Sequence, residues 1–257
     1  MHWHCHELFA RMPPGVTDGG IAVVIDVLRA STTMITALAR GASRVIPVAD
    51  VGEARRIAAT TPGPVVLGGE RGGVRIPGFD LGNSPREYSA DRMAGRTLVI
   101  TTTNGTAALH ASRGAREILV GAMVNRTAAA DLVRRLAGGA DRVHLVCAGT
   151  DGRVSAEDVL AAGAILDAAV VDGPDEELDD AARRALDWYR RVATSDDTSA
   201  RMIAEFRRSP GGSNLIALGM EADLEVAAAI DSSQVVPRLD LTSGSLRRAL
   251  VPAGDSG

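Results

Sequence analysis

Asp26, Arg29 and the hydroxyl run Ser31-Thr32-Thr33 follow one another closely in the chain. An aspartate, an arginine and three small donors in that order can grip a phosphate. If a helix begins there, its free N–H groups and partial positive charge favour an oxyanion, and Arg29 can add two parallel donors. Asp26 then stands where it can hold a divalent cation or attack phosphorus. The plainer alternative is a polar strand end followed by a helix cap at Ser31. A second group, Thr101-Thr102-Thr103-Asn104-Gly105-Thr106, is again dense in small donors beside a glycine. A third, Cys147-Ala148-Gly149-Thr150-Asp151-Gly152-Arg153, has C-x5-R spacing. In that arrangement a thiolate attacks phosphorus while loop amides and the arginine hold the oxyanion; a simply buried Cys147 is the alternative. Ser155, Glu157 and Asp158 come next, and acids are favoured in a first helical turn whatever their use.

All three groups sit at the same place in a repeated unit. Ile21–Ile25 is a continuous apolar run, as expected of a strand buried on both faces of a parallel sheet. It ends at Asp26, and a helix follows that Ser31 can cap and Gly41 can stop. Val45–Val48 reads as the next strand. The pattern returns with Thr97–Ile100 as strand, Thr106–Ser112 as helix and Ile118–Val120 as strand. It returns again with Val143–Cys147 and a helix from Ser155 that meets Gly163-Ala164. Such units predict a three-layer α/β/α fold with a parallel-rich sheet, in one domain over residues 1–257 that could comprise two similar halves, about 1–90 and 91–250. Ligands bind where the loops after the strands converge. The stretch Gly68–Pro85 is too rich in Gly and Pro for a helix and is expected to be a shaped loop. Val171–Leu178 is acidic, Asp179–Phe206 reads as helical, a short helix is expected around Leu224–Ile230, and the tail after Val251 is expected to fray.

Composition narrows the function. The 257-residue chain is 46% hydrophobic and carries a net charge of −4, which suits a globular protein and disfavours nucleic acid as a partner. No apolar run is long enough to span a bilayer, and Met1-His2-Trp3-His4-Cys5 lacks the order of a signal peptide. A cytosolic location is therefore expected. Cys5 and Cys147 cannot build a disulfide framework. The chain has no lysine, which excludes Schiff-base, pyridoxal-phosphate and P-loop lysine chemistry. There is no G-x-G-x-x-G for a dinucleotide and no G-x-S-x-G for an esterase. Asp26-Val27-Leu28 lacks the second acid of haloacid-dehalogenase-type phosphatases. His2, His4 and His6 share one face of an expected strand, as surface residues rather than as a metal site. The sequence is compatible with a homo-oligomer.

Together the motifs resemble the 2-phosphosulfolactate phosphatase family. They are Val24–Thr32, Gly69–Gly73 with Gly78–Pro85, Thr102–Thr106, and Cys147–Arg153 with Ser155–Asp158, in that order. The resemblance implies a magnesium-dependent α/β phosphatase that converts 2-phosphosulfolactate to sulfolactate on the route to coenzyme M. Its substrate carries a phosphate, a sulfonate and a carboxylate, which calls for arginines and a cation; Arg29, Arg71, Arg75 and Arg153 are available. On this reading Asp26, Glu70 and Asp158 hold Mg²⁺ directly or through water. Asp26, Arg29, Asn104 and Arg153 are the expected catalytic residues. Ser31, Thr32, Thr103, Gly105 and Thr106 bind the phosphate, and Arg75 and Asn83 the acid end. Two alternatives stay open: a cysteine phosphatase using Cys147 and Arg153, and a non-catalytic binder of a phosphorylated anion.

Overall fold

Strand residues in this chain send alternate side chains into two different cores. Ile21, Val23 and Ile25 pack on one face of a sheet, and Ala22 and Val24 on the other. The computed structural model describes residues 1–138, 141–170, 177–194 and 197–249. Within them the order is β1 (His2–His6), β2 (Ile21–Ile25), α1 (Ala30–Ala39), β3 (Arg44–Pro47), α2 (Val51–Thr60), β4 (Val65–Arg71), β5 (Val74–Arg75) and α3 (Ala90–Met93). Then follow β6 (Thr97–Thr101), α4 (Gly105–Ala111), β7 (Glu117–Gly121), α5 (Arg126–Leu136), β8 (Arg142–Cys147), α6 (Ala156–Ala169) and β9 (Glu177–Leu178). The chain continues through α7 (Asp180–Val192), α8 (Thr198–Arg208), α9 (Pro210–Ala217), α10 (Ala222–Ala227), β10 (Pro237–Asp240) and β11 (Ser245–Arg248).

The strands form one sheet in the order β5-β4-β6-β3-β11-β10-β7-β2-β8-β1-β9. Helices cover both faces, giving the expected three layers and a mostly parallel sheet. Residues of α5, α6 and α7 join Ile21, Val23 and Ile25 in one core, while Met34 and Ile35 of α1 and Leu109 of α4 join Ala22 and Val24 in the other. Ala54 of α2 packs with Val99 in a third cluster. Strands from residues 1–90 and 91–250 alternate along the sheet: β6 lies between β4 and β3, and β2 between β7 and β8.

Two features depart from the sequence reading. The stretch Gly68–Pro85 begins as strand, because β4 runs to Arg71 and turns through Gly72-Gly73 into β5. The C-terminal hairpin β10–β11 also sits in mid-sheet and pairs antiparallel with both β7 and β3. The two parallel blocks therefore run in opposite senses. Sheet twist of roughly 20–25° per pairing, summed over the steps from β6 to β2, offsets much of that reversal and lets loops from both blocks meet. The acidic stretch Val171–Leu178 lies outside the described residues except for Glu177 and Leu178, and the tail after Val251 lies wholly outside them. Among the described residues no helix is long and apolar enough to cross a membrane.

The N-terminal histidines line β1 as expected, each with a partner. His2 Nδ1 meets Glu177 at 2.9 Å, His4 Nδ1 meets Asp179 at 3.3 Å, and His6 Nε2 lies 3.0 Å from His144 Nδ1 on β8. Burial, then the charges of His6, His4 and Arg142, push the His144 imidazole down to about 4, against the pull of Asp179. A depressed histidine disfavours the protonated form in the fold. Its contribution is present above the ordinary value near 6.5 and is lost as pH falls from there toward 4. Urea unfolding should therefore show about 2–3 kcal/mol less stability at pH 4.5 than at pH 7.5 from this residue, and His144→Gln should flatten that dependence. An unchanged slope in the variant would refute the assignment.

Candidate functional site

The loop after β2 folds back on itself. Asp26 N–H donates to Ser31 Oγ at 2.9 Å, and Ser31 N–H donates to the Asp26 carbonyl at 2.8 Å. The Ser31 hydroxyl is thereby occupied and does not cap α1: the cap position is Arg29, with no side-chain cap bond. Thr32 Oγ1 donates to the Val27 carbonyl at 2.8 Å. Both hydroxyls, expected on phosphate, are buried and serve the loop itself. The Asp26 carboxylate accepts the Ala30 N–H on Oδ1 at 3.1 Å. Burial pushes its pKa up to about 7; the Ala30 N–H opposes this, the charges of Glu70 and Glu157 add to it, and Arg29 pulls against them.

Loops from the other block reach Asp26 because position 105 has no side chain. A Cβ on Gly105 would lie 2.5 Å from Ala30 Cβ and 2.7 Å from Asp26 Oδ2. The first turns of α1 and α4 thus abut. Glu70, near the end of β4, bridges the same region: Oε1 accepts the Thr103 N–H at 2.8 Å and the Thr103 hydroxyl at 3.0 Å, while Oε2 accepts the Gly73 N–H at 2.8 Å. Thr106 Oγ1 donates to the Thr102 carbonyl, so its hydroxyl is spent on the loop that precedes α4.

Beneath Asp26 lies the start of α6. Asp158 is buried and accepts the Val27 N–H and the Gly149 N–H, each at 2.8 Å, joining the loops after β2 and β8. Its pKa is raised by burial first and by Glu157 and Asp26 next. Glu157, equally buried, is also raised, chiefly by burial. Among the described residues its Oε2 has no hydrogen-bond partner, and Oε1 lies against Gly211 of α9, where a Cβ would clash with it. Among the described residues no group of three or more His, Cys, Asp or Glu side chains is arranged to hold a metal ion. Asp26, Glu70 and Asp158 thus stand near one another electrostatically, with two of the three engaged on both oxygens by backbone N–H groups.

A cleft of about 380 Å³ opens over these loops, lined by Asp26, Arg29, Glu70, Asn83, Thr103 and Asn104, with α9 as its far wall. Arg75 and Arg153 are exposed and lie outside that lining. Arg75 Nη1 faces the Asp80 carbonyl at 3.4 Å, and Arg153 closes a tight turn through backbone bonds with Thr150. Arg71 is spent on the Glu70 carbonyl and Thr101 Oγ1. Among the described residues, the expected convergence of four arginines is corrected to one, Arg29. Cys147 fails as a nucleophile for a related reason. It is fully buried in an apolar core, and its thiol is raised well above the ordinary value by a hydrogen bond with Cys5 and by burial; a nucleophilic thiolate needs the reverse. The sequence reading missed Asp223, Ser84 and the α9 wall. Asp223 is buried and bonds Arg29 across 194 positions of chain, a separation that leaves no local spacing signal.

The family model described as 2-phosphosulpholactate phosphatase matches residues 10–241. The chain belongs to that family. All the loops of the cleft fall within the matched range, and β1 lies outside it. A probable 2-phosphosulfolactate phosphatase of Deinococcus radiodurans is 43% identical, covering 88% of this chain and 92% of the relative. Relatives of the same name from Caldicellulosiruptor saccharolyticus and Symbiobacterium thermophilum are 39% and 40% identical, over 82% and 85% of this chain and 85% and 91% of theirs.

Gly105→Ala tests the contact on which the cleft depends. Replacing glycine by alanine in a helix ordinarily stabilises by up to about 1 kcal/mol. Here the clash with Asp26 and Ala30 should instead cost about 1–3 kcal/mol, read as a lower urea midpoint. A stabilised variant would show that the two loops do not meet.

Proposed function

We propose that this chain is a Mg²⁺-dependent phosphatase that hydrolyses the ester of 2-phosphosulfolactate to sulfolactate and phosphate. The carrying observation is the cleft itself, in which Asp26, Arg29, Glu70 and Asn104 meet within a chain of this family. Relatives named for that reaction over nearly their full length support the substrate. The reading places the reaction in the cytoplasm, on the route to coenzyme M.

A hard cation fits the residues present. The donors under the cleft are carboxylate oxygens, three of these acids have raised pKa values, and Glu157 Oε2 has no partner among the described residues. Mg²⁺ keeps several waters and needs only one or two carboxylates, so a three-acid cage is not required. On this reading Asp26 would hold the ion directly, while Glu70 and Asp158, which fasten the loops, would act on it through water. Bound there, the ion would neutralise phosphate charge and acidify a water.

The protein's own groups do the rest. Arg29 supplies the positive charge facing the phosphate, and Asn104, also in the cleft lining, supplies neutral amide donors to its oxygens. Asn83 lines the same cleft, and its side-chain NH₂ can donate to the carboxylate end of the substrate. These groups favour charge that spreads over the equatorial oxygens as the ester bond to the hydroxy acid breaks.

The test is a phosphate-release assay over phosphorylated 2-hydroxy acids, including phosphosulfolactate and phospholactate. EDTA should silence release and added Mg²⁺ restore it. Asp26→Asn should lower kcat by on the order of 10³-fold with the fold intact, whereas Cys147→Ser should retain activity. Release that survives EDTA but not Cys147→Ser would overturn the reading.

A further inference from the structure

Among the described residues Arg29 is the one cation lining the cleft, and its guanidinium is not free to swing. Nη1 donates to Asp223 Oδ2 and to Met220 Sδ, both at 2.8 Å, and Nη2 donates to the Gly73 carbonyl at 2.8 Å. The ion pair is almost fully buried, with side-chain exposures of 3% for Arg29 and 2% for Asp223. Asp223 is itself held, because Ser84 Oγ donates to its Oδ1 at 2.6 Å. Ser84 directly follows Asn83 of the cleft lining. Four segments distant in sequence are thus fastened to one guanidinium: the loop after β2, the β4–β5 turn, the loop before α3 and the start of α10.

A guanidinium has five N–H donors. Among the described residues three are spent on protein, and the Nε–H and one Nη2–H remain for an anion. Two neighbouring donors in a rigid fork match two oxygens of a phosphate. Which pair of donors remains is decided by what occupies the others. We propose that Asp223 is a positioning residue: it does not touch substrate, but by taking the Nη1 corner it turns the open edge of Arg29 toward the phosphate. Its carboxylate also compensates the buried guanidinium while the cleft is empty. Ser84 fixes the carboxylate and so acts through the same chain of contacts. This inference rests on reading the cleft as a phosphate site.

A double-variant cycle tests it, using Arg29→Gln, Asp223→Asn and the pair together, with folding checked by thermal melting. The readouts are kcat and KM for phosphosulfolactate and the Kd of inorganic phosphate by calorimetry. Asp223→Asn should lower kcat/KM by about tenfold or more and weaken phosphate by about fivefold or more. In the Arg29→Gln background it should move neither by more than about twofold, because residues acting through one another are non-additive. Values within twofold of wild type for Asp223→Asn, or losses that multiply in the double variant, overturn the proposal. A merely structural role would lower the melting temperature while leaving KM and the phosphate Kd in place. If Asp223→Asn does not fold, Ser84→Ala decides. It should weaken phosphate about threefold with Arg29 present and leave it unmoved in the Arg29→Gln background, and an unchanged Kd in both overturns the proposal. Wild-type protein that binds phosphate but does not turn over phosphosulfolactate would sink the substrate reading alone, and the phosphate cycle would still decide. Wild-type protein that does not bind phosphate sinks both.

Discussion

The contact between Gly105 and Asp26 is the constraint on which the cleft depends. The sheet is built from two parallel blocks that the β10–β11 hairpin sets in opposite senses. Loops from separate blocks can share a site only where their backbones come very close, and the first turns of α1 and α4 do so because residue 105 lacks a Cβ. The two first turns then meet at the cleft, whose lining takes Arg29 from beside one helix and Asn104 from beside the other. Glu70 on β4 ties down the loop after β6 through Thr103, so the second block contributes two strand ends rather than one.

Electrostatics follow from that geometry. Asp26, Glu157 and Asp158 are buried together, and burial is the leading cause of the raised pKa of each. Such a cluster is tolerable because backbone N–H groups point at it from the loops after β2 and β8, and Arg29 stands beside it. Arg29 in turn needs its own partner, since an unpaired buried guanidinium would be costly. The balance is local: acids compensated by amides and one arginine, and that arginine by Asp223. A cation, as proposed above, would relieve the same burial cost that raises the pKa of these acids.

Much of this could be read in the chain. Ile21–Ile25 and Val143–Cys147 declare themselves as continuous apolar runs because both faces of a parallel sheet are buried. The polar residues after them mark the loops, and of the residues expected at the site Asp26, Arg29, Glu70, Asn83, Thr103 and Asn104 line the cleft, although the Thr103 N–H and hydroxyl are both taken by Glu70. Individual hydroxyls were less legible. Ser31, Thr32 and Thr106 have the right chemistry, but short side chains beside a folded-back loop bond the nearest backbone group first. The arginines misled for the opposite reason: a long side chain near a loop in sequence can leave on either side, and Arg75 and Arg153 leave toward solvent. Asp223 and the mid-sheet hairpin were invisible because their meaning lies in pairings with distant strands and loops. Periodicity carries no record of such pairings.

The central claim is that the meeting of the β2 and β6 loops forms a phosphate site served by a cation at Asp26. A crystal structure of the protein soaked with Mg²⁺ and orthovanadate tests it most directly. The account predicts the anion in the cleft on the open edge of Arg29 and within reach of Asn104, with the metal density bridging it to the Asp26 carboxylate. Vanadate bound elsewhere, or metal density with no contact to Asp26, would contradict it.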